Sequence, residues 1–207
     1  MKVSIIIPSN LTPRKHSASD PEMKLIRAVS SALQQDYNDI EVIVIADGCE
    51  NTMDVIREYI FGVSMPSRLF NYQIPKQPLF SGNVRNAGIE AATGDIICYL
   101  DADDYLGTDH VSTIVKHFTG QWVWFNDLTL KDDQFVEREC SLKYGHCGTS
   151  NIAHLRTMKA RWKPVNAYAM DDWAFIQELQ KESPGGVKIE TPTYIVCHIP
   201  YRRGYDV

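Results

Sequence analysis

The sequence predicts an α/β fold, in which a mostly parallel sheet is flanked by helices and the second half of the chain is mixed α+β. Three observations predict it. Short β-branched runs alternate with amphipathic segments over residues 1–118, and some of these runs are almost entirely apolar, as in strands buried on both faces. Polar or turn residues follow the runs. After residue 118 the alternation stops.

In the first half, strands and helices alternate along the chain. Asp20 and Pro21 are typical of the N-cap and first position of a helix, and Gly94 is placed to stop a later one. Such alternation implies right-handed crossovers and parallel strands. The predicted strands are 3–7, 41–46, 69–74 and 95–100, and the predicted helices are 21–33, 51–60 and 82–92.

The second half is predicted to add strands at 122–125 and 135–136 around a turn at 131–133. A helix at 171–181 and an extended segment at 187–198 follow. Trp122 and Trp124 alternate with apolar neighbours, so both should pack on one side of their strand. Without a repeat or a polar linker, we expect residues 1–207 to form one domain.

Composition excludes several classes of protein. Lys and Arg number 21 against 26 Asp and Glu, and a formal charge of −5 disfavours a broad nucleic-acid surface. Five cysteines without a CxxC spacing suggest neither a disulfide framework nor a zinc ribbon. Because no run of about 18 apolar residues occurs, we expect a soluble, cytoplasmic protein with reduced thiols.

Carboxylates cluster where the fourth strand ends. In an extended chain Asp101 and Asp103 project to one side, about 6.5 to 7 Å apart, while Asp104 points the other way. Ligands bind at the carboxyl ends of parallel strands, so a divalent ion could join this pair to a diphosphate. Mg²⁺ and Mn²⁺ suit such oxygen ligands. The alternative is a solvated turn that caps a helix.

Several segments together resemble glycosyltransferase family 2. The likeness is ordered over residues 3–105 and traceable to Asp172. It implies the GT-A fold, with a Rossmann-like nucleotide-sugar half at 1–118 and an acceptor half at 119–207, a DxD metal motif and inversion at the anomeric carbon. The segments are VSIIIP at 3–8, RAVSSALQQDY at 27–37, EVIVIADG at 41–48, GNVRNAGI at 82–89 and GDIICYLDADD at 94–104.

The resemblance also assigns donor-side roles. Pro8 and Asn10 would edge the base and ribose pocket, and Asp47 would bond the base, although Ala46 replaces an acidic residue that many members carry. Arg85 would approach the nucleotide. Asp103, helped by Asp101, would hold Mn²⁺ or Mg²⁺ on the diphosphate. The motif residues assigned to the donor site are Asp101 and Ala102.

On the acceptor side, Asp172 would be the general base, flanked by Asp171 and Trp173. An inverting transfer needs such a carboxylate opposite the leaving diphosphate. Helix capping is the alternative role for both aspartates. In some relatives a histidine near His198 completes the metal shell and would favour Mn²⁺, whereas a histidine that ends a strand is commonly structural.

The implied reaction is inverting transfer of a hexosyl or N-acetylhexosaminyl group from a nucleoside-diphosphate sugar, with UDP favoured, to a hydroxyl of a growing polysaccharide or glycolipid. The chain has a basic stretch at 154–163, which we interpret as a helix, and an aromatic tail at 201–205. These segments favour contact with a lipid-linked acceptor or with the inner membrane face. The alternative is a solvated surface. Two alternative functions remain. One is a nucleotide-sugar-binding module without catalysis. The other is a metal-dependent nucleotidyltransferase, although this sequence has no glycine-rich phosphate loop early in the chain.

Overall fold

A computed structural model describes residues 1–12, 20–58, 66–78, 81–131, 134–163 and 170–197. Helices alternate with strands through the first half, as the sequence predicts. The strands are β1 (Val3–Ser9), β2 (Ile40–Asp47), β3 (Leu69–Ile74), β4 (Ile96–Tyr99), β5 (Tyr105–Leu106), β6 (Trp122–Lys131), β7 (Gln134–Arg138), β8 (Ile152–Leu155) and β9 (Val187–Val196). The helices are α1 (Pro21–Leu33), α2 (Asn51–Ile56), α3 (Gly82–Ala91), α4 (His110–His117) and α5 (Met170–Glu182), with a 3₁₀ turn at Thr149–Asn151.

Within these ranges nine strands form one sheet in the order β3-β2-β1-β4-β8-β6-β9-β5, and β7 pairs with β6. The pairs β1–β2, β2–β3 and β1–β4 are parallel, while β4–β8, β6–β8 and β5–β9 are antiparallel and β6–β9 is parallel. The predicted α/β class with a mixed second half is confirmed. Three elements were not predicted from the sequence: β5, β8 and α4. Strands β5 and β8 are only two and four residues long, which is too short for a clear pattern.

Two apolar clusters cover the two faces of the sheet. Ile5 and Ile7 of β1 face the cluster that contains α1 and α4, and Ile6 faces the cluster that contains α3 and α5. This alternation follows from the two-residue period of a strand. Trp122 is fully buried and Trp124 packs against it with ring centroids 5.7 Å apart, so the predicted packing of this pair is confirmed.

Two local predictions are wrong. Residues 154–163 form no helix: His154 lies in β8, and the segment after it is irregular. Two of its cations bond other parts of the protein: Arg156 donates to the Gly94 carbonyl at 2.8 Å, and Lys163 pairs with Glu178 at 2.9 Å. Residues 101–103 are not extended, because β4 ends at Tyr99 and a turn follows.

Some predictions fall outside the described residues. They include the end of the predicted helix 51–60 after residue 58, the turn residues 132–133, His198, and the tail at 201–205. Among the helices that are described, none combines the length and the apolar character that a membrane span would need.

Candidate functional site

The parallel strands β1, β2 and β4 end at the same edge of the sheet. In register, Ser9 lies beside Ala46 and Ile6 beside Tyr99, so the segments after β1, β2 and β4 converge there. This edge carries the residues that the sequence assigned to the donor. Pro8 is half-buried within β1, and the side-chain oxygen of Asn10 accepts the backbone N–H of Thr12 at 3.0 Å.

Asp47 lies at the end of β2 and is nearly buried. One carboxylate oxygen accepts the backbone N–H of Gln77 at 2.6 Å, and the other pairs with the ammonium of Lys76. Lys76 is itself 56% exposed. At this edge of the sheet the more accessible charged group is therefore the ammonium of Lys76.

A second cluster is built around the guanidinium of Arg85 on α3. Its Nη2 donates to Asp101 at 2.9 Å, and its Nη1 lies 3.9 Å from a carboxylate oxygen of Asp171. The Arg85 side chain is only 6% exposed. Burial alone would lower the pKa of Arg85, but Asp101 and the neighbouring Asp172 and Asp171 raise it above its ordinary value. One buried cation thus joins the turn after β4 to the start of α5.

Trp162 supports this cation from the side. The guanidinium carbon of Arg85 lies 5.0 Å from the Trp162 ring centroid, a cation–π distance. Trp162 is held by the Asn86 amide, which bonds its backbone at 2.9 and 3.0 Å, and by the Tyr99 hydroxyl, which accepts its indole N–H at 3.2 Å. The Trp162 ring stacks on Phe175 of α5 at 4.0 Å. Asn86 therefore fixes the backbone of Trp162 against α3.

Asp172 lies in the first turn of α5, beside this cluster. It accepts a hydrogen bond from the hydroxyl of Thr149, and its backbone N–H donates to the Asp171 side chain at 3.0 Å. Burial raises the pKa of Asp172 to about 6, against the lowering effects of Arg85 and Thr149. A carboxyl with such a pKa is poised to exchange a proton near neutral pH.

A sequence profile of Glycosyl transferase family 2 matches residues 19–177. The chain belongs to glycosyltransferase family 2. Its relatives include an uncharacterized glycosyltransferase of Nostoc sp., 33% identical over 124 residues, which are 57% of this chain and 33% of the relative. A putative colanic acid biosynthesis glycosyl transferase of Escherichia coli is 27% identical over 118 residues, or 54% and 40% of the two chains.

Solved structures show the fold of this family member. TarS 1–349 of S. aureus, in complex with UDP-GlcNAc, aligns with a TM-score of 0.70 and 15% identity over 100% of this chain and 60% of that one. A mannosyltransferase from Pyrobaculum calidifontis, in complex with GDP-Man and Mn²⁺, aligns with a TM-score of 0.64 and 16% identity. The alignment covers 99% of this chain and 58% of the mannosyltransferase. These matches confirm the GT-A fold. The chain spans only 33–40% of the length of those two curated relatives and 58–60% of these two solved structures.

The residues after β4 fit a divalent cation by their donor chemistry. Asp101 and Asp103 supply carboxylate oxygens, and the side chain of Asp101 is 32% exposed although it pairs with Arg85. Asp104 is buried and bonded on both oxygens, so it is not available to a metal in this arrangement. Among the described residues, which exclude His198, no group of three histidine, cysteine or acidic side chains surrounds a common point.

The structure brings together only part of the predicted site. Arg85, Asp101, Asp171 and Asp172 share one electrostatic cluster, with Ala102 in the turn beside it. Trp173 is partly buried and packs on the core cluster of α3 and α5. Sequence reasoning did not find Trp162 and Tyr194, because their contacts reach residues 63 to 93 positions away and no local pattern marks them.

Proposed function

We propose that this family 2 chain is an inverting, metal-dependent glycosyltransferase that moves a sugar from a nucleoside-diphosphate donor to a saccharide hydroxyl. The observation that carries this proposal is the ion cluster of Arg85, which joins Asp101, on the donor side, to Asp171 and Asp172, on the acceptor side. A one-step displacement needs two kinds of group around the same reaction centre. One group lies near the leaving diphosphate, and a base lies on the acceptor side.

In this proposal Asp172 takes the proton of the acceptor hydroxyl. The oxygen of that hydroxyl forms a bond to the anomeric carbon while the bond to the diphosphate breaks, and the nucleoside diphosphate leaves with the bonding electrons. The pKa of Asp172, about 6, leaves it mostly ionised at neutral pH. Thr149 donates to one carboxylate oxygen and thereby orients the other.

Arg85 places one positive charge among three carboxylates and so reduces their mutual repulsion. Its guanidinium is fixed by Trp162 and by the ion pair with Asp101. A divalent cation, when bound by Asp101 and Asp103, would neutralise the departing diphosphate. The UDP-GlcNAc complex of TarS and the Mn²⁺ complex of the mannosyltransferase support this choice of donor and metal class.

A saccharide acceptor is favoured by relatives named for colanic acid and amylovoran biosynthesis. Besides the colanic acid protein, an amylovoran biosynthesis glycosyltransferase of Erwinia amylovora is 26% identical over 57% of this chain and 37% of its own. We propose UDP-sugars of the hexosyl or N-acetylhexosaminyl type as the first donors to test, with a polysaccharide or glycolipid end as acceptor.

The test is release of nucleoside diphosphate from a panel of UDP-, GDP- and dTDP-sugars with and without Mn²⁺. We expect cation-dependent release with one donor, and its loss in Asp103→Asn while the melting temperature is kept. Asp36→Asn is the control, because Asp36 bonds Ser112 near the amino ends of the strands. A donor that raises the melting temperature of the wild type but is never turned over would identify a binding module instead.

A further inference from the structure

A buried carboxyl group and a buried phenol lie against the turn that carries Asp101 and Asp103. Asp104 is 3% exposed and Tyr194 of β9 is fully buried. The Tyr194 hydroxyl donates to Asp104 at 2.7 Å and accepts the backbone N–H of Asp101 at 3.2 Å. The backbone N–H of Asp104 donates to the Asp101 carbonyl at 3.1 Å. One phenol oxygen, about ninety residues further along the chain, thus bonds both ends of the turn.

The second carboxylate oxygen of Asp104 is also used. It accepts the backbone N–H of Cys197 at 2.5 Å, directly after β9. Since β5, which follows the turn, pairs with β9 through Tyr105 and Ile195, the turn and the end of β9 form one unit. Asp104 therefore acts as a bridge between two segments of backbone, a task distinct from that of Asp101 and Asp103.

Helix α1 secures the middle of the same turn. Arg27 donates to the backbone carbonyl of Asp103 at 2.6 Å and lies over the Tyr105 ring at 5.0 Å. The ammonium of Lys24, one helical turn earlier, donates to the carbonyl of Cys197 at 3.5 Å. The backbone of the turn is thus fixed from α1 and from β9, while the Asp101 side chain stays partly exposed.

We propose that Tyr194 and Asp104 are positioning residues: they hold the backbone between Asp101 and Asp103 in the conformation in which both carboxylates can take a divalent cation. This inference rests on the proposed function. Its physical basis is general, because hydrogen bonds that orient metal ligands are worth about 10- to 100-fold in metal affinity. A buried phenol that bonds the backbone of a ligand residue meets that condition here.

Tyr194→Phe tests the proposal, because it deletes one oxygen atom and keeps the ring in the core. The measurement is Mn²⁺ binding by electron paramagnetic resonance of the free ion, with Mn²⁺ alone and with UDP or GDP present. We expect Mn²⁺ affinity to fall about 10- to 100-fold. We also expect the metal-dependent rate to return to within about twofold of the wild type at saturating Mn²⁺, since neither carboxylate ligand is removed.

Ser4→Ala is the matched control, because it also deletes one buried hydroxyl oxygen. Ser4 is fully buried, and its hydroxyl donates to Glu41 at 2.6 Å and accepts the backbone N–H of Gly94 at 2.9 Å, away from the turn. We expect this control to lower the melting temperature by a similar amount and to leave Mn²⁺ affinity within about twofold, because its lost bonds lie outside the turn. Asp104→Asn is the second variant, and it should weaken Mn²⁺ binding as well.

The outcomes separate the inference from the proposed function. If the wild type binds Mn²⁺ and both Tyr194→Phe and Asp104→Asn keep its affinity, the positioning role is wrong and the function stands. Equal loss of Mn²⁺ affinity in Ser4→Ala, or failure of both Tyr194→Phe and Asp104→Asn to fold, would show a general core role instead. A wild type that binds no Mn²⁺ with or without a nucleoside diphosphate would overturn the metal-dependent function and this inference together.

Discussion

At the scale of single residues, the acidic side chains of this protein have three different roles that the sequence alone does not separate. Asp101 pairs with Arg85 and is partly exposed, Asp104 is bonded within the core, and Glu41 is bonded by five donor groups at the start of β2. These acidic side chains differ in their hydrogen-bond partners, and most of the partners lie far away along the chain. A substitution to the neutral amide should therefore give a different result at each position.

The rate of transfer should depend on the ionisation of Asp172. Its pKa of about 6 predicts that kcat/KM rises with pH up to about 6 and levels off above it, since only the carboxylate accepts a proton. Asp172→Asn should lower kcat by about 10²- to 10⁴-fold and remove this acidic limb, with donor affinity kept. A pH–rate profile of both proteins checks this; an unchanged limb in the variant would exclude Asp172 as the base.

The pKa of Glu41 is shifted in the opposite direction, and its effect is on stability rather than rate. Although burial opposes its charge, bonds from Lys2, Ser4 and Thr93 lower its pKa from 4.5 to about 2. Since the folded value lies below the ordinary one, its stabilisation is complete above about pH 4.5 and is lost as pH falls toward 2. Glu41→Gln should reduce the free energy of unfolding by roughly 1–3 kcal/mol at pH 7 and by less at pH 3.

Denaturant titrations at the two pH values measure this difference. Glu178→Gln is the control, because Glu178 also pairs with a lysine, Lys163, but on the surface. We expect little change from the loss of that exposed pair. Equal effects of Glu41→Gln at pH 7 and pH 3 would show that its stabilisation does not come from the charge.

At the scale of elements, the strands and helices of the first half could be predicted because local patterns determine them. Strand β2 is buried along its whole length and apolar from residue 42 to 46, and α1 has Pro21 at its first turn. The pattern failed in the segment 154–163, where alternating basic residues suggest a solvated helix. Arg156 and Lys163 instead bond a distant carbonyl and a distant carboxylate, which no local pattern reveals.

The sequence pointed to the carboxylates of the candidate site, but it did not reveal the residues that surround them. Residue type and the end of β4 selected Asp101 and Asp103 as candidates, and the resemblance to the family selected Asp172; these assignments stay predictions. The mutual geometry depends on Trp162 and Tyr194, whose neighbours are brought near only by the folded sheet. The turn after Leu100 also breaks the extended geometry that would place Asp101 and Asp103 on one face.

The contact of α3 with β1 depends on the absence of a side chain at Gly88. A Cβ atom there would lie 2.4 Å from Cγ2 of Ile6, well inside van der Waals contact. Gly88→Ala should push α3 off the sheet, lower the free energy of unfolding by about 1–3 kcal/mol and reduce activity, since α3 carries Arg85. Chemical denaturation and donor turnover measure the two effects.

Gly120→Ala is the control for Gly88→Ala. A Cβ atom at Gly120 would meet only Val187, at an ordinary 3.8 Å, so stability should stay within about 0.5 kcal/mol. If Gly88→Ala were as well tolerated as Gly120→Ala, the close packing of α3 on β1 would not constrain the position of Arg85.

At the scale of the whole molecule, residues 1–118 and residues 119–207 contribute strands to one sheet. Strand β4 of the first half pairs with β8, and β5 pairs with β9, both from the second half. The apolar cluster on the α3 side joins Ile97 and Tyr99 to Trp162 and Phe175. Neither half can bury its share of this surface alone, which is the physical condition for a single cooperative unit.

We therefore expect one thermal unfolding transition whose calorimetric and van't Hoff enthalpies agree. A fragment of residues 1–118 should not fold, because it leaves β4 as an open edge and exposes Tyr99, whose hydroxyl and ring contacts lie in the second half. Adding a separate 119–207 fragment should restore structure only if the two associate, and this restored structure should depend on protein concentration. A cooperative melt of 1–118 alone would show instead that residues 1–118 form an independent domain.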